Sequence, residues 1–193
     1  MPDASRVVLL TGATEPLGVA IARAVLDTGG RVAATVSRPW QVDRLREQLP
    51  SADLLVGVVM PGDAEAAAGF VKGANDALGP ITDLVAASIL LRDRVAGREP
   101  AGDLGELLDA NLHANTTVAR ALLPSLRRRR SGRLAFASLP ESAHHLSATC
   151  RASLAAIDAF ATSLRADFAG TDLDLHFTHV PATTDTPTPW LQK

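Results

Sequence analysis

The stretch TGATEPLG, residues 11–18, decides how this chain is read. It follows the β-branched run RVVLLT (6–11) and opens PLGVAIARAVLDTGG (16–30). In that second segment apolar residues recur at Leu17, Ile21 and Ala24/Val25, and Gly29 and Gly30 supply a C-terminal stop. A glycine-bearing turn between strand and helix presents backbone N–H groups to a pyrophosphate at the helix N-terminus. Pro16 suits a first helical turn. It lacks an N–H, however, and so offers no backbone donor to a phosphate there. The loss of one charge-assisted donor is worth about 1–3 kcal/mol of binding. A phosphate-binding turn and a plain strand-to-helix turn stand level as readings.

Outward from this turn the same alternation continues. RVAATV (31–36), DLLVGVV (53–59), DLVAAS (83–88), RLAFAS (133–138) and DLHFTHV (174–180) are short strand-like runs, most of them apolar on both faces. Between them, 40–49, 63–78, 103–129 and 147–169 carry helical patterns. Strands and helices alternating through short links imply an α/β protein with a doubly wound parallel sheet in three layers. No repeat, low-complexity segment or linker divides residues 1–193, so one domain is expected.

Composition narrows the function classes. Apolar residues make up 47% and charged residues 21%, as in an ordinary globule. The formal net charge of −2 offers nothing to nucleic acid or anionic membrane. RRRR at 127–130 closes a helix, where cations favour the dipole. No apolar run approaches a membrane span of about 20 residues. The start MPDASRVVLL has no signal-peptide pattern, and one cysteine agrees with a reducing cytoplasm. No histidine shows metal-ligand spacing with acids or cysteine, so no metal site is expected.

Several segments together resemble the short-chain dehydrogenase/reductase family along nearly the whole chain. TGATEPLG is similar to that family's TGxxxGxG turn, with Pro16 at the middle Gly. VPATTDTP resembles its PGxxxT stretch, with Ala182 replacing Gly and Thr186 kept. The resemblance implies a Rossmann-like sheet of about six strands in order 3-2-1-4-5-6. It implies cofactor contacts from Gly12, Thr14, Leu17, Gly18, Ala86 and Thr186, and from Arg38 toward the 2′-phosphate of NADP. The adenine-holding Asp after strand three has no counterpart, since Asp63 comes too late, and the NNAG segment reads Ala86-Ala87-Ser88-Ile89. Weak or absent NADP binding is therefore expected.

The family's catalytic groups are depleted. LDANLHAN matches the helix bearing the catalytic Asn, here Asn111, and GRLAFASLPES matches the strand ending in the catalytic Ser, at Ser138 or the adjacent Leu139. In SATCRASLAAIDAF (147–160) the segment CRASL stands at YxASK, so Cys150 and Leu154 replace Tyr and Lys, and the chain contains no tyrosine at all. Asn111 and Ser138 are vestigial on this reading. His144 and His145 are open to two readings, a substitute acid or plain loop histidines, whereas Cys150 suits a small buried hydrophobe better than a catalytic thiol. The sequence ends at Lys193, before the region that covers substrate in this family, so a lid is not expected.

Two functions follow from the resemblance. One is a non-catalytic Rossmann-type subunit or regulator, and the other an atypical NADP-dependent ketoreductase without the Tyr/Lys pair. The helices at 103–129 and 147–169 resemble the pair through which the family dimerises. Their apolar positions, among them Leu107, Leu122, Ala156, Phe160 and Leu164, imply a homodimer or heteromer. Leu154 is expected in the core beside Ile157 and the strand at 133–138.

Overall fold

A computed structural model describes residues 6–92, 98–129, 131–138, 146–170 and 172–179, with positions 131, 138 and 172–179 described by backbone only. Its strands are β1 (Val7–Thr11), β2 (Arg31–Val36), β3 (Leu54–Val58), β4 (Asp83–Ala86), β5 (Ser131–Ser138) and β6 (Asp172–His179). All pairings are parallel and the order is β3-β2-β1-β4-β5-β6, as the strand–helix alternation requires. The chain reverses direction across the sheet between β1 and β4, so the carboxyl ends of those strands form the crevice where such sheets bind ligands.

Every residue of β1 is buried, and alternate side chains serve opposite layers. Val7 and Leu9 join Leu84, Leu134 and Phe136 under α3 (Ala64–Leu78), α5 (Ala114–Arg129) and α6 (Ala148–Asp167). Val8 and Leu10 join Val32, Ala34 and Val85 under α1 (Pro16–Asp27) and α2 (Trp40–Gln48). Strands enclosed on both faces need continuous apolar runs, which is why these segments do not alternate polar and apolar residues.

The helical pattern at 103–129 is not one helix. It comprises α4 (Asp103–Leu108), a π-turn (Asp109–His113) and α5. The widened turn lies where two buried asparagines, Asn111 and Asn115, must reach backbone groups outside the helix. At the helix end, the Arg127 guanidinium lies 4.8 Å from the Phe168 ring centre, and Arg129 donates to the Ile81 carbonyl at 2.7 Å. These two members of the arginine run fasten α5 to its own fold.

The opposite, amino-terminal end of the sheet is closed by charge. Asp83, buried, accepts from Arg6 at 3.1 Å and from Arg133 at 2.6 Å. One carboxylate there joins β4, β5 and the residue before β1, and its loss would leave two cations without it.

Candidate functional site

The site begins at the glycine turn. Gly12 has φ +65°, and a Cβ added to it would lie 2.4 Å from the Ala87 carbonyl oxygen. A Cβ on Gly18 would lie 2.1 Å from the Gly12 carbonyl. Both glycines are thus demanded by the packing of β1, α1 and the turn after β4, before any ligand is considered. Pro16 is the first residue of α1, and Val19 N–H is the first to bond a helical carbonyl, that of Glu15, at 2.9 Å. Leu17 and Gly18 therefore carry the open N–H donors of the helix start.

Beneath the turn lies a polar ladder that sequence reasoning missed. Asn115 accepts from the Thr11 hydroxyl and from Ser88 N–H, and donates to the carbonyls of Ser88 and Asn111. Thr11 Oγ1 in turn accepts from Ala87 N–H at 3.0 Å. The sequence signal was present: two asparagines four apart on an otherwise apolar helix face. Their partners, remote in sequence, were not readable.

Above the ladder an open cleft of about 370 Å³ runs along the carboxyl ends of β1 to β4. Gly12, Thr14, Arg38, Gln41, Met60 and Ser88 are among its walls. Ala86 is not: it is buried inside β4, and the neighbouring Ser88 meets the cleft instead. Asp63 is a helix cap, its side chain accepting from Ala66 N–H at 2.9 Å. At that edge Val59, Met60 and Pro61 line the wall without an acid.

The half over β4 and β5 is built differently. Asn111 is fully buried and its carboxamide is fully engaged: Oδ1 accepts from Leu90 N–H, and Nδ2 donates to the Leu90 carbonyl at 3.0 Å and to Ser153 Oγ at 2.8 Å. It holds the loop after β4 against α6. Cys150 is 0% exposed and its thiol lies 3.7 Å from the Leu90 carbonyl. Burial pushes this thiol above its ordinary pKa of 9.0, and Asp103 adds to the rise while a backbone hydrogen bond from Arg92 and the Arg92 charge partly offset it. Leu154 packs with Leu107, Leu146 and Cys150 in a small cluster of their own, flanked by Ile89 and Leu90. It does not join the cluster of Ile157 and β5, because at the start of α6 it packs against Leu107 of α4 and the loop after β4.

Ser138 ends β5, its Cα in register with His179 of β6. His113 pairs with Asp109 at 2.9 Å. Thr186, Leu139, His144 and His145 lie outside the described residues. Among the described residues no three His, Cys, Asp or Glu side chains cluster as metal ligands, and no helix is long and apolar enough to cross a membrane.

A dinucleotide can be tested against this geometry. The close approach at Gly12, the open donors of α1 and the cleft toward Arg38 fit its adenosine and pyrophosphate half. At the other half, Leu154 lies in an apolar cluster and brings no donor for a ribose.

A parallel sheet with a glycine turn at its switch point defines an α/β protein of the dinucleotide-binding type. The chain belongs to the short-chain dehydrogenase/reductase family, whose model, described as short chain dehydrogenase, matches residues 6–190. It is similar to a dehydrogenase/reductase SDR family protein 7-like of Drosophila melanogaster, 28% identical over 179 residues, covering 88% of this chain and 55% of that protein. It is also similar to oxidoreductase BOA17 of Botryotinia fuckeliana (strain B05.10), 25% identical over 130 residues, covering 67% and 47%. The chain thus spans about half the length of these curated relatives. A short-chain dehydrogenase from Streptomyces avermitilis superposes with TM-score 0.79 at 22% identity, covering 93% of this chain and 66% of that one. A Pseudomonas aeruginosa PAO1 short-chain oxidoreductase, described as containing an atypical catalytic centre, gives 0.78 at 20% identity, covering 90% and 69%. These structural likenesses establish the fold.

Proposed function

We propose that this chain is a short-chain dehydrogenase/reductase-type protein without the family's standard hydride-transfer chemistry, acting as a non-catalytic subunit or regulator. The observation that carries the reading is the apolar cluster at Cys150 and Leu154. A buried thiol with a raised pKa is a poor acid or base near neutral pH, and leucine offers no charge to a ribose. Nicotinamide, when bound, supplies the hydride itself, but neither residue at these two positions moves the accompanying proton. NADP binding is weak or absent on this reading, because Pro16 removes a donor and the wall after β3 brings no acid. Arg38, at the cleft, favours NADP over NAD for whatever binding remains.

The proposed assembly is a homodimer or heteromer through α4–α5 and α6. Leu107, Leu122 and Leu164 are covered by the chain's own core, so the surface on offer reduces to half-buried positions such as Ala156 and Phe160. The proposed compartment is the cytoplasm, in keeping with a single, reduced cysteine.

The open cleft above the glycine turn favours a second reading, an atypical NADP-dependent ketoreductase in which His144 or His145, water or the substrate supplies the proton. An NADPH-dependent assay across a ketone panel separates the two. Wild type is expected to give no turnover, and Cys150→Tyr with Leu154→Lys little or none. Leu154→Lys alone should lower stability by about 2–3 kcal/mol, because an ammonium replaces a buried leucine. Robust wild-type turnover, abolished by His145→Ala or Cys150→Ala, establishes the reductase instead.

A further inference from the structure

We infer that Gln41 is a specificity-determining residue of the cleft, holding down the affinity for a nucleotide that bears a ribose phosphate. Beyond the carboxyl end of β2, three donors converge on one oxygen. Gln41 Oε1 accepts from Ser37 N–H at 3.1 Å, from the Ser37 hydroxyl at 3.3 Å and from Arg38 N–H at 2.9 Å. Its Nε2 donates across the cleft end to Thr14 Oγ1, 3.4 Å away, in the glycine turn. Three donors facing one atom fix that atom as the oxygen of the carboxamide.

Two backbone N–H groups and a hydroxyl, from residues that line the cleft, make a concavity suited to an anionic oxygen. Here a neutral side chain of the same protein fills it. A phosphate on the ligand's ribose must either displace Gln41, releasing three hydrogen bonds and the link to Thr14, or meet Arg38 without those donors. A ligand with a plain hydroxyl at that place needs no displacement. Arg38 and Gln41 therefore act in opposition: the first attracts a 2′-phosphate, and the second occupies the donors that would complete its shell. The cation alone, visible in sequence, overstates the preference for NADP.

This inference rests on the reading that the cleft keeps some nucleotide affinity, and calorimetric titration of the full chain tests both. NADPH and NADH are titrated into wild type, Gln41→Ala and Gln41→Glu, with circular dichroism verifying the fold of each. Gln41→Ala should shift the NADPH/NADH preference toward NADPH by about tenfold, the worth of one hydrogen bond to a charged group. NADH affinity should stay within about threefold, since its hydroxyl never competed for those donors. Gln41→Glu keeps an acceptor in place and adds a negative charge, so it should shift the preference toward NADH; this variant decides the matter if the alanine does not fold. Binding of NADPH to Gln41→Ala alone supports the role. Measurable binding with an unchanged ratio in both variants overturns the role of Gln41 and leaves the cleft as a nucleotide site. Binding of neither nucleotide to any of the three proteins overturns both.

Discussion

Along one edge of this sheet, the half over β1–β3 and the half over β4–β5 are built by different means. The first is held by backbone geometry. Gly12 sits at φ +65° with no room for a Cβ, Gly18 abuts the Gly12 carbonyl, and an open cleft lies above them. The second is held by side chains. Asn111 ties Leu90 to Ser153, while Leu107, Leu146, Cys150 and Leu154 pack together in an apolar cluster. The contrast shows two ways of fixing one sheet edge. Residues of the turn are fixed by backbone conformation and the close approach of strand and helix, so a single added Cβ breaks their packing. Residues of the second half are fixed by buried hydrogen bonds and apolar contact.

The largest expected effect lies in the first half. Gly12→Ala combines a left-handed backbone with a clash against the Ala87 carbonyl and should destabilise the protein by about 2–5 kcal/mol, measured by urea denaturation. A loss below about 1 kcal/mol would mean that the turn yields, and that its glycines serve a ligand rather than the fold. In the second half, Asn111→Ala removes one carboxamide and leaves the Leu90 N–H, the Leu90 carbonyl and the Ser153 hydroxyl without it. A loss of about 2–4 kcal/mol is expected. If stability is unchanged, Asn111 is not the tie described, and its place in the apolar half needs another account.

The smallest effect is a pH dependence. The folded Cys150 thiol keeps its proton to higher pH than the unfolded one, because burial disfavours the thiolate. Its contribution is fully present below the ordinary value of 9.0 and is lost as pH rises toward the folded value, since the unfolded chain ionises first. The stability difference between wild type and Cys150→Ala should be flat to pH 9.0 and then shrink. A difference that grows above that pH contradicts a protonated, apolar environment at Cys150.

By itself, the sequence determined the strand–helix alternation, and through its family resemblance it implied the order of the sheet. The alternation is local: apolar runs set strands and 3.6-residue spacing sets helices. Tertiary structure decided what these residues touch. It broke the helical pattern at 103–129 with a π-turn, buried Ala86 within its strand away from the cleft, and placed Leu154 in a cluster apart from Ile157. It covered Leu107, Leu122 and Leu164 without a partner, and it turned Gln41 back onto Ser37 and Arg38 beside Thr14. Each depends on atoms far apart in the chain meeting within a few ångströms, as Thr11 meets Asn115 and Asn111 meets Ser153. Periodicity records which face of an element is apolar, but not which distant element will lie against it.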